Sequence, residues 1–426
     1  MDKRIVEPLK IFNQIELILP SSKSLTQRAL ICASLARGKS LILNPLQSED
    51  PLLLKEALEK TGVLIEKKEG HFEVKGIGGR PELRGNRVYL GNNGTGARFF
   101  LALSALGEGE WVELYGKERL HERPMFPLIN ALRKLSAKIE CLEKEGHLPV
   151  RIYPSTLKSS PITLPGNVSS QFISALLLIG PYLPEGLYLR IEGELFSKSY
   201  IDMTIEVMDK FGVEVECKED EYRVKRQNYK PTEYEVPADA SSSSYFLALP
   251  LVLGRGKVII KNYDYLTKQG DVVFLDFLKE MGAEIRRLEP LGVEVSFEGR
   301  PKGGRFNLRD YPDLFPTMAI LGALSNGETI LYGAPHLRYK ETDRIKAMAT
   351  ELTKVGVSVE ELPDGLKILG SDSFKTAEIN TYDDHRIAMA FAILALRIGP
   401  LVLENPSCVE KSFPTFWELL DRLYVV

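Results

Sequence analysis

The stretch LPSSKSLTQRAL, residues 19–30, sets a lysine among small hydroxyl residues just where an amphipathic run begins. Ser24 and Arg28 are four apart and share a helical face, with Lys23 beside them ahead of the first turn. Later stretches repeat the placement: Gly94, Gly96 and Arg98 in LGNNGTGARFF, Ser169, Ser170 and Gln171 in SSQFISALL, Asp313 in YPDLFPTMA, and Asp384, His385 and Arg386 in DDHRIAMAF. RYKETDR adds Lys340, Glu341 and Arg344, and EKSF adds Lys411. A helix start offers free N–H groups and a positive dipole end to an anion. Arginine adds a planar fork for carboxylate or phosphate, lysine a compact charge, and glycine room for close backbone approach. Such a set suits two small polyanions. Asp313 and Glu341, carboxylates among these cations, are candidates for proton transfer. Singly each motif is weak: serine before an apolar run is usually a cap, NNGTG usually a turn, and an exposed Glu–Arg pair contributes under about 1 kcal/mol. The weight comes from recurrence at one position of a repeat.

That repeat positions the candidates. Six apolar helical runs each meet a glycine and continue into a β-branched run, and the glycines, Gly38, Gly107, Gly186, Gly254, Gly327 and Gly399, lie 69, 79, 68, 73 and 72 residues apart. In phase with them, a helix end, a small residue (Gly62, Ser136, Gly212, Gly282, Gly356) and a hairpin recur. Units of ~70 residues are too long for a solenoid and fit two compact domains of three units each. The polar segment 225–244 marks the break. The N-terminal strand IFNQIELILP precedes the first unit, while the sixth unit ends in a helix and lacks a strand that the N-terminus can supply. The expectation is a first domain over 21–236, a discontinuous second domain of 1–20 plus 237–426, and an active site in the cleft between them.

A chain of 426 residues, 44% hydrophobic and 27% charged, has ample core, and a net charge of −3 gives no long-range attraction for nucleic acid. Four cysteines without C-x-x-C spacing fit reduced thiols in the core of a cytoplasmic protein. The N-terminus MDKRIVEPLK reads as neither signal nor transit peptide, and no apolar window is long enough to span a membrane. The five histidines show no metal-ligand spacing, so no histidine metal site is expected.

With LPSSKSLTQRAL, LGNNGTGAR, HERPM, SSQFISALL, SKSYIDMT, YPDLFPTMA, YKETDRIKAMATEL, YDDHRIAMAF and EKSFPTFWE in this order, the chain resembles the 5-enolpyruvylshikimate-3-phosphate synthases (3-phosphoshikimate 1-carboxyvinyltransferases) of the enolpyruvyl transferase family. The resemblance implies an α/β fold of the α+β type, two inverse α/β barrel domains of three βαβαββ units each. It implies transfer of the enolpyruvyl group of phosphoenolpyruvate to the 5-hydroxyl of shikimate 3-phosphate, with release of phosphate through a tetrahedral ketal. Shikimate 3-phosphate would be held by Lys23, Ser24, Arg28, Ser169, Ser170, Gln171, Ser197, Tyr200, Asp313, His336 and Lys340. Phosphoenolpyruvate would be held by Lys23, Gly94, Arg123, Gln171, Arg344, Arg386 and Lys411. The catalytic set would be Asp313 as base, Glu341 as acid, Lys23 and His385, with no metal or cofactor required.

The family often has Asn at the position of His336, PGSKS where this chain has PSSKS, and NAGTAMR where it has NNGTGAR. Retention of Gly94 implies room for the inhibitor glyphosate. The related transferase acting on UDP-N-acetylglucosamine usually carries a loop cysteine that GKERLHERPMF lacks. A non-catalytic binder of phosphorylated metabolites would give Asp313 and Glu341 no task among cations. The expected partners are the two small substrates alone, bound by a monomer, with no nucleic acid or membrane.

Overall fold

The computed structural model describes residues 2–425. Two compact units emerge, one Ser21–Val236, the other the N-terminal segment through Pro20 together with the chain from Pro237 onward.

Within each unit three apolar helices form the centre and small sheets cover them. In the first unit these are Lys23–Leu35, Gly94–Ser104 and Ser170–Ile179, with Gly94–Ser104 packed against both of the others. Ser170–Ile179 is buried at every position except Gln171. In the second unit they are Ala240–Leu247, Phe315–Leu324 and His385–Ile398, with Phe315–Leu324 buried throughout. Helices apolar all round belong inside a core, and each unit has one contiguous apolar core of its own.

Each repeat builds one sheet. In the second, Asn86–Tyr89 pairs parallel with Val112–Tyr115 through a crossover containing helix Gly94–Ser104, and the hairpin of Lys138–Cys141 and Val150–Tyr153 adds antiparallel. Strands such as Val150–Tyr153 alternate buried and half-buried residues, so that one face of the sheet covers the helices. This is the α/β architecture of repeated βαβαββ units.

Three local readings change. The N-terminus supplies two strands rather than one: Gln14–Leu17 pairs parallel with Lys257–Ile260 in the fourth repeat, while Lys3–Val6 pairs antiparallel with Leu401–Glu404 and completes the sixth. Four residues, KRIV, carry too little periodicity to register as a strand. The polar segment at 225–244 contains Glu233–Glu235, paired parallel with Leu41–Leu43 through a buried Tyr234. Cys32 and Cys408 are buried, but Cys141 is only half-buried and Cys217 is exposed, because Cys217 lies on the outer strand of a hairpin. Among the described residues no helix is long and apolar enough to cross a membrane.

Candidate active site

In the Ser21–Val236 unit, hydrogen bonds tie the three helix starts together. Ser22 caps helix Lys23–Leu35, so Lys23 is the first helical residue rather than the one before it, and Ser24 follows in the same turn. Lys23 Nζ lies 3.0 Å from the buried carboxylate of Asp50. Asn93 caps helix Gly94–Ser104 by accepting from the Gly96 amide at 2.8 Å, and its Nδ2 donates to Gln27 Oε1 and to the Asp50 carbonyl, each at 2.8 Å. Arg123, buried just after a short helix, donates from Nη1 to the Asn92 carbonyl at 3.3 Å. Ser169 caps helix Ser170–Ile179, and Gln171 is held from two sides, accepting from Arg98 Nη1 and donating to Thr95 Oγ1 at 2.9 Å.

Arg28 joins this cluster to helix Lys198–Lys210. It is 1% exposed and donates from Nε to Thr204 Oγ1 at 2.7 Å, from Nη1 to the Ser24 carbonyl at 2.9 Å and from Nη2 to the Tyr200 carbonyl at 3.1 Å. Burial lowers its pKa to about 10. Ser197, at the start of that helix, sits in the left-handed region at φ 57°, a conformation costing a non-glycine residue about 1 kcal/mol.

The second unit gathers the remaining candidates. Asp313 lies on the 3-10 turn Pro312–Leu314, Lys340 and Glu341 on a loop, Arg344 at the start of helix Arg344–Lys354, His385 and Arg386 at the start of their helix, and Lys411 at the end of a 3-10 turn. Arg344, 1% exposed, donates from Nη1 to Asp313 Oδ1 at 2.9 Å, from Nη2 to Glu341 Oε2 at 2.9 Å and from Nε to Asp384 Oδ2 at 2.8 Å. Arg386 Nη2 reaches Asp313 Oδ2 at 2.7 Å, and Lys411 Nζ reaches Glu341 Oε1 at 3.0 Å. His385 Nδ1 is 3.9 Å from Asp384 Oδ1.

The charges tune one another. Burial alone would raise the Asp313 carboxyl, but Arg386, Arg344 and Lys340 outweigh it and hold the group far below the carboxylate range. Burial likewise works against the Arg344 guanidinium, and the carboxylates of Asp384, Glu341 and Asp313 overcome it. His336 is pushed down to about 3, chiefly by burial and then by the charge of Lys340, so it is neutral at physiological pH. The arrangement sets the donors of Arg344, Arg386 and Lys411, of the kind that can bind an anion, directly against the carboxylates of Asp313 and Glu341.

This geometry can be set beside known proteins. The family described as EPSP synthase (3-phosphoshikimate 1-carboxyvinyltransferase) matches residues 13–420. The chain belongs to the EPSP synthase family. It is 42% identical over 404 residues to the 3-phosphoshikimate 1-carboxyvinyltransferase of Methanothermobacter thermautotrophicus, covering 95% of this chain and 94% of the relative. The enzyme of that name from Vibrio vulnificus is 39% identical over 437 residues, with 99% of each chain covered. A solved EPSP synthase from Acinetobacter baumannii superposes with a TM-score of 0.83 at 27% identity, covering 99% of this chain and 98% of that one.

Within this EPSP synthase framework the structure adds residues that motif reading passed over. Asp50 pairs with Lys23, Thr204 receives Arg28, and the Tyr245 hydroxyl accepts from Arg386 Nη1 at 3.4 Å. Asp50 and Thr204 carry no local signal, and Tyr245 in SSSSYFLALP reads as one more apolar residue of a buried helix. Asp384 had a signal as the residue capping its helix start, which hides its second task of holding Arg344.

Proposed function

We infer that this chain transfers the enolpyruvyl group of phosphoenolpyruvate to shikimate 3-phosphate, releasing phosphate, and so serves aromatic amino acid biosynthesis as a transferase of the shikimate pathway. Membership of the EPSP synthase family supports the reaction. The observation that carries the assignment of roles is Asp313 and Glu341 sharing Arg344, with Arg386 and Lys411 on their other sides.

The first unit's hydroxyls, amides and cations, namely Ser24, Arg28, Ser169, Ser170, Gln171, Ser197 and Tyr200, suit shikimate 3-phosphate, joined by Lys340, Asp313 and His336. Arg123, Gly94 and Lys23 of the first unit and Arg344, Arg386 and Lys411 of the second suit phosphoenolpyruvate. Glu341 gives a proton to the methylene carbon, leaving a cationic C2. The 5-hydroxyl oxygen attacks C2 while its proton goes to Asp313, forming a tetrahedral ketal phosphate. The new methyl group then returns a proton to the Glu341 carboxylate, rebuilding the double bond as the C2–O bond to phosphate breaks and inorganic phosphate leaves. The protein contributes orientation and charge stabilisation. His385, buried beside Asp384, supports the same corner of the site. We further place the protein as a monomer of the cytoplasm.

Phosphate release on mixing the chain with both substrates tests the reading. Release that requires both substrates and collapses in Asp313→Ala is expected, whereas a folded protein that binds shikimate 3-phosphate without turnover would sink it.

A further inference from the structure

Arg344, Arg386 and Lys411 form one connected network with Asp313, Glu341 and Asp384, in which three positive charges meet three negative ones. The three carboxylates are not equivalent. Asp384 is 0% exposed, and besides receiving Arg344 Nε it accepts the Arg386 backbone N–H at 2.9 Å as the cap of helix His385–Ile398. Detaching it would uncap a buried helix and strand its own charge. Asp313 and Glu341 keep 17% and 9% of their side chains exposed and take the terminal nitrogens of Arg344 at 2.9 Å each, Nη2 being shared with Asp384 Oδ1 at 3.3 Å, together with Nη2 of Arg386 and Nζ of Lys411. Those are the nitrogens that a bidentate carboxylate or phosphate requires.

We propose that Asp313 and Glu341 are exchangeable counter-ions standing in the anion seat of Arg344, Arg386 and Lys411, and that Asp384 is the fixed positioning residue that keeps Arg344 aimed and caps the helix start carrying Arg386 while the exchange happens. The proposal rests on the reading that these cations receive phosphoenolpyruvate. Exchange replaces one carboxylate partner by another, so the buried guanidiniums never stand uncompensated. It also switches on the chemistry. A carboxylate gripped by two cations, Asp313 by Arg344 and Arg386, Glu341 by Arg344 and Lys411, is a poor base, and an arriving anion that takes those cations returns proton affinity to both at the moment they are needed.

The experiment is calorimetric titration of the full chain with phosphoenolpyruvate alone, where no turnover occurs, at low ionic strength. Asp313→Asn and Glu341→Gln keep the shape and remove the competing charge, so both should bind phosphoenolpyruvate about tenfold more tightly than the wild type although turnover is lost. Asp384→Asn should move the other way, weakening binding about tenfold and raising KM for phosphoenolpyruvate more than it lowers kcat. A merely structural role for Asp384 would lower the unfolding midpoint without that split. Equal or weaker binding by both Asp313→Asn and Glu341→Gln overturns the proposal even if Asp384→Asn fails to fold. Absence of binding in every protein overturns it too, and the phosphate-release assay then decides separately whether the assigned reaction stands.

Discussion

The guanidinium of Arg123 lies so close over Gly94 that a methyl group on that glycine would stand 2.6 Å from its Cζ and from both terminal nitrogens. Gly94 opens its helix, so the contact aims a buried cation at a helix N-terminus. The obstructing atoms are the far end of a flexible side chain, so Gly94→Ala should fold normally. Arg123 must then move, and the KM for phosphoenolpyruvate should rise about tenfold to a hundredfold. Steady-state kinetics would show it, and an unchanged KM would separate Arg123 from the substrate. The unmodified chain, which keeps Gly94, should lose activity when glyphosate greatly exceeds phosphoenolpyruvate.

Ser136 should be improvable. It occupies the left-handed region at φ 72°, where the corresponding residues of the other repeats, Gly62, Gly212, Gly282 and Gly356, are glycines at φ 75° to 108°. Its amide donates to the Arg133 carbonyl at 2.9 Å and the next amide to the Leu132 carbonyl at 3.0 Å, which fixes the chain reversal after helix Phe126–Lys134. Ser136→Gly removes the Cβ strain at the cost of a looser unfolded chain, for a net gain of about 0.5–1 kcal/mol. Chemical denaturation should show a higher midpoint at unchanged slope.

Two buried groups of the second unit should give opposite pH slopes. His336 falls to about 3 through burial, so its contribution to stability is present above pH 6.5 and is lost as pH falls toward 3, at about 1.4 kcal/mol per pH unit. Asp271 is 3% exposed, hydrogen-bonded to Ser241 Oγ, and pushed up to about 7 by burial and then by the charge of Asp313. Its contribution is present below pH 3.8 and is lost as pH rises through 7. Denaturation of His336→Asn and Asp271→Asn from pH 4 to 7 should therefore bracket the wild type. Relative to it, His336→Asn should gain as pH falls and Asp271→Asn as pH rises. Parallel curves for all three would refute the assignment.

What could be read in the chain was periodic or local. The glycine-punctuated repeat places helix starts in register, and a polar residue at a helix start announces itself, which is why Lys23, Gly94, Gln171, Asp313 and Arg386 were recognisable. Partners were not recognisable, because contact depends on packing rather than spacing. Arg98 stands one turn into its helix in plain view, but its grip on Gln171 spans 73 positions. Arg344 and Asp384 are 40 positions apart, and a capping aspartate looks the same whether or not it also holds an arginine. KRIV was missed for another reason: its pairing with Leu401–Glu404 comes from the far end of the chain, where four residues leave no pattern to read.

Arg28 shows why a residue that resembles a ligand contact should also be tested as a strut. Its donors are committed to Thr204, to the Ser24 carbonyl and to the Tyr200 carbonyl, so it fastens two expected shikimate 3-phosphate contacts to each other across two helices. Arg28→Lys keeps the charge but cannot reach three acceptors from one ammonium. Thr204 Oγ1 still donates to the Tyr200 carbonyl at 2.8 Å, so helix Lys198–Lys210 should persist while its link to helix Lys23–Leu35 loosens. The expected cost is about 2–4 kcal/mol of unfolding free energy. The KM for shikimate 3-phosphate should rise well above that for phosphoenolpyruvate, since Ser24 and Tyr200 lose their shared anchor. Equal changes in the two KM values would mean that Arg28 supports the fold without positioning the phosphorylated substrate.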